Sequence, residues 1–210
     1  MSAVPSPSDL STILPKGAQK LILASTSKYR KELLTRLGVP FTCLSPGVDE
    51  QALTGESPMA MALRLAEAKA LAISKIEPDA WVIGSDQVVD LQGVAMGKPG
   101  DHAKALKQLQ TLRGKTVQFH TAVCLAKGPI SQVLNVITDV TFRDLDDATL
   151  NAYLLAETPY DCAGSAKSEG LGICLLEKVQ SDDPTALIGL PLITVCTLLR
   201  DAGFQIPKVV

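Results

Sequence analysis

Short apolar runs alternate along the chain with longer segments in which apolar residues recur every three or four positions. The first run, Leu21–Ala24, is followed by the hydroxyl-rich turn Ser25–Ser27 and by a charged amphipathic segment that stops at Gly38. Ser27 is a good N-cap and Gly38 a good C′ residue, so this stretch predicts a buried strand, a tight turn and a helix. The helix is expected to dock on the strand through one apolar face, formed by Leu33, Leu34 and Leu37.

The same patterns divide the rest of the chain into further strands and helices. Strands are predicted at residues 40–44, 81–86, 116–126, 132–142 and 171–179, and a hairpin at 88–91 and 94–96. Helices are predicted from Ser57-Pro58 to about Ser74, from Asp101 to Leu112, from Asp144 or Asp146 to about Ala156, and from Gly189-Leu190-Pro191 to about Ala202. This alternation indicates one α/β unit with a mixed sheet, arranged as two lobes with a cleft between them.

Composition narrows the classes of function. The 210 residues are 46% hydrophobic and 20% charged, with a formal net charge of -2, which is typical of a soluble globular protein. Such a charge gives no general attraction to nucleic acid or to an anionic membrane, and no apolar run reaches the length of a membrane span. Residues 1–17, interrupted by Pro and Ser, are expected to form a flexible leader without a signal-peptide core, and residues 18–210 a single catalytic domain.

The cysteines point to a reducing compartment. Their number is odd, they are widely scattered, and no CxxC pair occurs, which argues against a disulfide framework or a zinc site. Most of them flank apolar residues and are therefore expected to be small core residues in a cytoplasmic protein.

The turn after the first strand is a candidate phosphate site. A helix N-terminus presents unpaired N–H groups and a partial positive charge, both of which favour a phosphate. Ser25 and Ser27 add hydroxyls, and Arg30 adds a guanidinium that can hold phosphate oxygens in a bidentate fork. Taken alone, the segment is equally compatible with an ordinary strand-to-helix turn.

Lys69 is the most unusual polar residue of the predicted helices. Its neighbours three, four and seven positions away are all apolar: Ala62, Leu65, Ala66, Ala72, Ile73 and Ile76. Such a lysine either extends its ammonium to the surface or points into a site that holds an anion. The second interpretation is favoured because burying an unpaired ammonium is costly.

Three more charged residues lie near predicted turns. Asp86 ends an apolar strand, Glu50 follows Pro46-Gly47, and Lys98 lies in Gly-Lys-Pro. Singly, each is compatible with a turn cap or a solvated loop residue. Together with the serines, Arg30 and Lys69, they form a set that can hold a polyphosphate, with Glu50 and Asp86 binding Mg²⁺ or activating a water. This set suits hydrolysis at phosphorus, and the absence of a GxxxxGK[ST] sequence excludes a Walker-type site.

Six ordered motifs resemble the Maf family of nucleoside triphosphate pyrophosphatases. They span about residues 20–204 and comprise Ala24–Arg30, Val48–Glu50, Glu67–Ala70, Gly84–Gln87, Gly97–Pro99 and Gly189–Pro191. The resemblance implies an elongated mixed β-sheet with flanking helices and two lobes around a central cleft, similar to inosine triphosphate pyrophosphatase. It also implies metal-dependent cleavage between the α and β phosphates, with Mg²⁺ expected and Mn²⁺ or Co²⁺ as alternatives.

The resemblance also assigns roles. It places the phosphate-binding serine at Ser25 and the arginine at Arg30. It places the acid at Glu50, the two lysines at Lys69 and Lys98, and the general base at Asp86. A homodimer is expected from the family, whose members are also linked with inhibition of septum formation, so a nucleotide-binding regulator of division without significant turnover is an alternative.

Base selection is expected to depend on Tyr29, Gln87 and Glu169. These positions resemble the branch of the family that acts on 7-methyl-GTP, whereas the branch acting on dTTP and UTP, the alternative, has Arg, Thr and Gln there. Glu169 can accept hydrogen bonds from the N1–H and N2–H₂ donors of guanine, Gln87 can use its amide, and Tyr29 can stack on a cationic methylated purine. Lys28 departs from the usual proline and is expected to alter phosphate affinity.

Overall fold

The sheet is built from seven strands. The computed structural model describes residues 19–207, and the predicted leader, residues 1–17, lies outside them. The strands are β1 (Leu21–Ala24), β2 (Thr42–Leu44), β3 (Trp81–Leu91), β4 (Val94–Met96), β5 (Thr116–Lys127), β6 (Ile130–Phe142) and β7 (Leu176–Ser181). Their order across the sheet is β2-β1-β3-β5-β6-β7, with β4 paired to β3. β1 is parallel to β2 and β3, and the other pairs are antiparallel, so the predicted mixed sheet is confirmed.

Five α-helices flank this sheet. They are α1 (Lys28–Thr35), α2 (Pro58–Ser74), α3 (His102–Leu112), α4 (Asp147–Glu157) and α5 (Leu192–Asp201). The first four begin at the predicted caps, because the side chains of Ser27, Ser57, Asp101 and Asp146 each accept a hydrogen bond from a backbone N–H three residues on. None of the helices of residues 19–207 is long and apolar enough to cross a membrane.

Two apolar cores lie on one face of the sheet, at opposite ends of β3 and β5. The first packs α1 and α5 against β1 and includes Ile83 and Val123, while the second packs α3 and α4 against Val89 and Phe119. A third core fills the opposite face beneath α2. We call the two ends the N-terminal lobe (β1, β2, α1, α2, α5) and the distal lobe (β4, α3, α4, β6, β7).

The edge of β3 is paired at both ends but open in the middle. β1 pairs with Trp81–Ile83 and β4 with Val89–Leu91, and within the described residues no strand pairs with 84–88 on that side. The other edge of β3 pairs with β5 over Val82–Asp90. The gap between β1 and β4 therefore leaves the middle of β3 open to a cleft.

Two expectations from the sequence are wrong. Residues 171–175 form a 3₁₀ helix, and the strand begins only at Leu176. The reason is local: a Cβ at Gly172 would clash with the backbone of Lys167, so the chain is folded back on itself there instead of extended. The cysteines are also not mainly core residues, since only Cys124 is buried, whereas Cys43 and Cys174 are exposed.

Candidate active site

A cleft of about 810 Å³ opens at the gap between β1 and β4. Its volume lies within the range of small-molecule sites. All ten residues expected to form the site line it: Ser25, Ser27, Tyr29, Arg30, Glu50, Lys69, Asp86, Gln87, Lys98 and Glu169. They come from α1, α2, β3, the turn before α1 and three further loops, so the fold gathers groups that are far apart in sequence.

Lys69 joins the two acids. Its Nζ lies 2.6 Å from Glu50 Oε1 and 2.7 Å from Asp86 Oδ1, and its side chain is only 6% exposed. Of the two interpretations of this lysine, the structure therefore supports the one in which the ammonium points to an anionic partner. A buried ammonium between two carboxylates balances charges that would otherwise be costly to bury.

Gly84 allows this arrangement. A Cβ at Gly84 would lie 2.6 Å from the backbone nitrogen of Ala70 and would also meet the carbonyl of Ala66. Without that Cβ, α2 lies directly on β3, and Lys69 reaches Asp86 two residues farther along the strand. The close approach of helix and strand is thus a condition for the buried ion pair.

The loop that carries Glu50 is fixed by Arg64 of α2. The Arg64 guanidinium donates to the carbonyl of Gln51 at 3.0 Å and to the carboxylate of Glu56 at 2.7 Å. Partial burial acts to raise the pKa of Glu50, but the hydrogen bond and charge of Lys69, with the charges of Lys98 and Arg30, more than offset it and lower the pKa. Glu50 is thus held as a carboxylate.

The turn before α1 presents hydroxyls and a guanidinium to the cleft. The Ser25 hydroxyl accepts from the backbone N–H of Ser27 at 3.1 Å, and Ser27 caps the helix at Arg30. Arg30 Nε donates to the carbonyl of Gly189 at 2.8 Å, which leaves the two terminal nitrogens for a ligand. Burial lowers the pKa of Arg30, while the charges of Asp86 and Glu50 act in the opposite direction.

The carboxylates offer a small set of oxygen ligands. Within residues 19–207, no group of three or more His, Cys, Asp or Glu side chains is placed to hold a metal ion. Among these residues, the carboxylates of Glu50 and Asp86 are the two that contact Lys69 Nζ. Two carboxylates fit the usual coordination of Mg²⁺, which retains waters and binds substrate phosphates rather than filling a complete protein cage.

Tyr29 lies at the other end of the cleft, between two lysines. Lys28 Nζ is 4.9 Å and Lys167 Nζ 5.9 Å from the centre of its ring. Its hydroxyl lies 3.9 Å from Cys162 Sγ, and Cys162 Sγ lies 3.5 Å from a carboxylate oxygen of Asp161. The pKa of Tyr29 is raised, first by burial and then by Cys162, Asp161 and Glu169. The aromatic platform expected from the sequence is therefore already in contact with cations.

Glu169 is exposed at the cleft, on a loop held by the distal lobe. Glu157, the last residue of α4, accepts from Lys167 Nζ at 2.7 Å and from the backbone N–H of Leu171 at 2.8 Å. Those two bonds fix both sides of the loop that carries Glu169. A Cβ at Gly170 would lie 2.8 Å from the Glu157 carboxylate, so the tight turn also depends on this glycine.

Gln87 uses one half of its amide for hydrogen bonds within the protein. Its Nε2 lies 3.0 Å from each of three acceptors: Thr121 Oγ1 and the carbonyls of Ala186 and Leu187. The amino half is thus used within the protein, and Oε1 is the half that can meet a ligand.

Several residues that hold the site were missed by the sequence reasoning. Ser85, fully buried on β3, donates to the Gly189 carbonyl at 3.1 Å and so fixes the acceptor of Arg30. Arg64, Glu157 and Asp161 were not singled out by any pattern in the sequence. Asp183 and Thr185 could have been found from the sequence. An acid and a hydroxyl residue two positions apart before a helix are typical of a turn that is capped by side chains.

The cleft of this α/β fold combines a capped helix N-terminus, a guanidinium and a lysine with two carboxylates. This combination is typical of a site for a phosphorylated ligand. The comparison with protein families agrees with this class: residues 20–202 match the model described as Maf-like protein. The chain belongs to this family.

Curated relatives resemble the chain over most of its length. It is 59% identical to a 7-methyl-GTP pyrophosphatase of Cupriavidus metallidurans over 88% of the chain and 94% of that protein. It is 57% identical to a 7-methyl-GTP pyrophosphatase of Paraburkholderia xenovorans over 89% of the chain and 94% of that protein.

Two solved structures show partial likeness. The Ham1 protein of Staphylococcus aureus aligns with 60% of this chain and 73% of its own, at 18% identity and a TM-score of 0.42. A HAM1 protein of Coxiella burnetii aligns with 61% of this chain and 75% of its own, at 15% identity and a TM-score of 0.39.

Proposed function

We propose that the protein is a nucleoside triphosphate pyrophosphatase that hydrolyses 7-methyl-GTP to 7-methyl-GMP and pyrophosphate, which removes a modified nucleotide. The observation that carries this proposal is the Glu50–Lys69–Asp86 cluster, which faces the α1 N-terminus across one cleft. High identity to curated 7-methyl-GTP pyrophosphatases over almost their whole length supports the substrate.

The phosphates would bind at the N-terminal lobe. Ser25, Ser27 and the free nitrogens of Arg30 surround the N-terminus of α1, where the helix dipole favours an anion. Lys98, an exposed residue of the cleft, adds a cation for the outer phosphates. Neutralising the charge that spreads over the phosphate oxygens is the main catalytic contribution in this chemistry.

Asp86 would act as the general base. One of its oxygens accepts from Lys69, and the other remains for a water in the cleft. The water oxygen forms a bond to phosphorus, its proton passes to Asp86, and the anhydride bond breaks with pyrophosphate as the leaving group. Lys69 keeps the carboxylate oriented while the phosphate charge develops.

Glu50 and Asp86 would also hold the divalent cation. Their oxygens lie on either side of the Lys69 ammonium, a position that is already suited to positive charge. Mg²⁺ is favoured by this all-oxygen set, with Mn²⁺ or Co²⁺ as substitutes. When bound, the ion would neutralise phosphate charge and orient the phosphates.

The base would lie at the distal end of the cleft. The carboxylate of Glu169 and Gln87 Oε1 are acceptors for the N1–H and N2–H₂ donors of guanine. Stacking of a cationic purine on Tyr29 requires that Lys28 or Lys167 move aside, since both lie within 6 Å of the ring centre. A homodimer and a cytoplasmic location stay predictions.

Release of pyrophosphate from 7-methyl-GTP, GTP, dTTP, UTP and ITP, each at the same concentration with Mg²⁺, tests this proposal. A clear preference for 7-methyl-GTP is expected. A preference for dTTP or UTP would keep the reaction and reject the base pocket. Binding without turnover of any of the five would instead support a nucleotide-binding regulator.

A further inference from the structure

The orientation of the Gln87 amide is determined by its surroundings. Two of its three neighbours at 3.0 Å are backbone carbonyls, of Ala186 and Leu187, and carbonyl oxygens can only accept. The third, the Thr121 hydroxyl, donates its own proton to the carbonyl of Ala186 at 2.9 Å and so also accepts from Gln87. In the flipped orientation the amide oxygen would lie beside two carbonyl oxygens, and none of the three could donate a hydrogen bond.

The turn that carries these carbonyls is held by a buried acid. Asp183 is only 2% exposed, and its Oδ1 accepts from the Thr185 backbone N–H at 3.0 Å and from the Thr185 hydroxyl at 2.7 Å. Its Oδ2 accepts from the backbone N–H of Ile193 at 2.7 Å, in the first turn of α5. Asp183 thus connects the start of this turn, at Thr185, to the first turn of α5.

We propose that Thr121 and Asp183 are positioning residues for base selection, because they lock Gln87 with its amino group inward and present Oε1 as a hydrogen-bond acceptor to the nucleobase. The inference rests on the proposed function in placing a nucleotide in the cleft. Thr121 and Asp183 do not line the cleft, so each acts through Gln87.

The chemical consequence is selection for a nucleobase whose edge carries hydrogen-bond donors. Glu169 is also only an acceptor when ionised, so the base end of the cleft presents two acceptors. Guanine offers N1–H and N2–H₂, whereas hypoxanthine lacks the N2 amino group. A ligand without the N2 amino group leaves one of these acceptors without a partner, so it binds less tightly than guanine.

The affinities of GMP and IMP, measured by calorimetry, test this proposal without relying on turnover. In the unmodified protein we expect GMP to bind at least about three- to tenfold more tightly than IMP, the value of one hydrogen bond. Thr121→Val keeps the side-chain shape but removes both an acceptor for Gln87 and the donor that holds the Ala186 carbonyl, so it is expected to lower the ratio. Thr121→Ser, which retains the hydroxyl, is expected to restore it.

Thr138→Val is a matched control, because Thr138 is also buried but donates to Ser181 on β7. Asp183→Asn, checked for folding by its unfolding transition, is expected to lower the ratio as Thr121→Val does. An unchanged ratio in Thr121→Val, or equal binding of GMP and IMP by the unmodified protein, would overturn the inference. Nucleotide selectivity without hydrolysis would instead reject the proposed function and keep this inference.

Discussion

The two ends of the cleft are built in different ways. At the phosphate end, Lys69 is almost fully buried and contacts two carboxylates, and α2 lies so close to β3 that a methyl group at Gly84 would not fit. At the base end, Glu169 is exposed and the Tyr29 ring lies beside two lysines at 4.9 and 5.9 Å. At the first end, Lys69, Asp86 and Arg30 lie on α2, β3 and α1, whereas at the second end Glu169 lies on a loop of the distal lobe.

The two ends therefore separate the groups proposed to carry out hydrolysis from the groups proposed to select the base. Groups that stabilise developing charge must be preorganised, and regular elements hold them more rigidly than loops do. Groups that choose the base can be altered without disturbing the ion cluster, because loops tolerate change. Four predictions, given in order of expected effect, test this difference between the two ends.

The largest effect is expected for Asp86→Asn at the phosphate end. The substitution keeps the side-chain shape but removes the base and one partner of Lys69, so the hydrolysis rate should fall by about 10²–10⁴-fold with nucleotide binding retained. Turnover and calorimetric binding would be measured together. Asp139→Asn on β6, where the carboxylate pairs with Gln118, is a control with the same change of charge. Intact hydrolysis in Asp86→Asn would contradict the proposed mechanism.

Gly84→Ala tests whether the phosphate end depends on close packing. The new Cβ would meet the backbone of Ala66 and Ala70, and overpacking of this kind costs about 1–3 kcal/mol of the free energy of unfolding. Denaturant unfolding would measure the loss. Gly97→Ala, whose added Cβ would meet nothing within 4 Å, should leave stability unchanged. Equal stability of both variants would show that α2 can move away from the sheet.

Lys28→Met tests the base end. Removing the ammonium 4.9 Å from the Tyr29 ring should favour a cationic base there, so the preference for 7-methyl-GTP over GTP should rise about two- to fivefold. The ratio of kcat/KM for the two substrates is the measurement. Lys31→Met, one turn along α1 with the same change of charge, is the control. The same small change in both variants would mean that Lys28 does not compete for the ring.

The smallest effect is a change in the titration of Glu50. Its pKa lies below the ordinary value of 4.5 because Lys69, Lys98 and Arg30 outweigh the effect of partial burial. The ionised form therefore adds stability at neutral pH, which is lost as the pH falls through the lowered pKa. NMR titration should show a higher pKa of Glu50 in Lys69→Met, and a smaller rise in Lys98→Met. No rise in Lys69→Met would contradict the ion pair.

Local sequence features determined the elements that carry the site. The caps at Ser27, Ser57 and Asp101 marked three helix starts, because a side-chain oxygen that satisfies a free N–H acts within a few residues. Lys69, on an apolar helix face, indicated an anionic partner because burying an unpaired ammonium is costly, and the structure places two carboxylates beside it. The error at residues 171–175 arose because an apolar run does not reveal that the chain must turn tightly at Gly172.

The sequence by itself therefore determined the α/β class, most helix and strand positions, and the ten residues that share the cleft. The tertiary structure alone decided which groups they contact: that β3 stays open between β1 and β4, that Lys69 joins Glu50 to Asp86, and that Gln87 faces the carbonyls of residues 186 and 187. Capping and periodicity depend on near neighbours along the chain. The pairing of Lys69 depends on Asp86, 17 residues away, and the orientation of the Gln87 amide on carbonyls 99 and 100 residues away, all of which only the folded chain brings together.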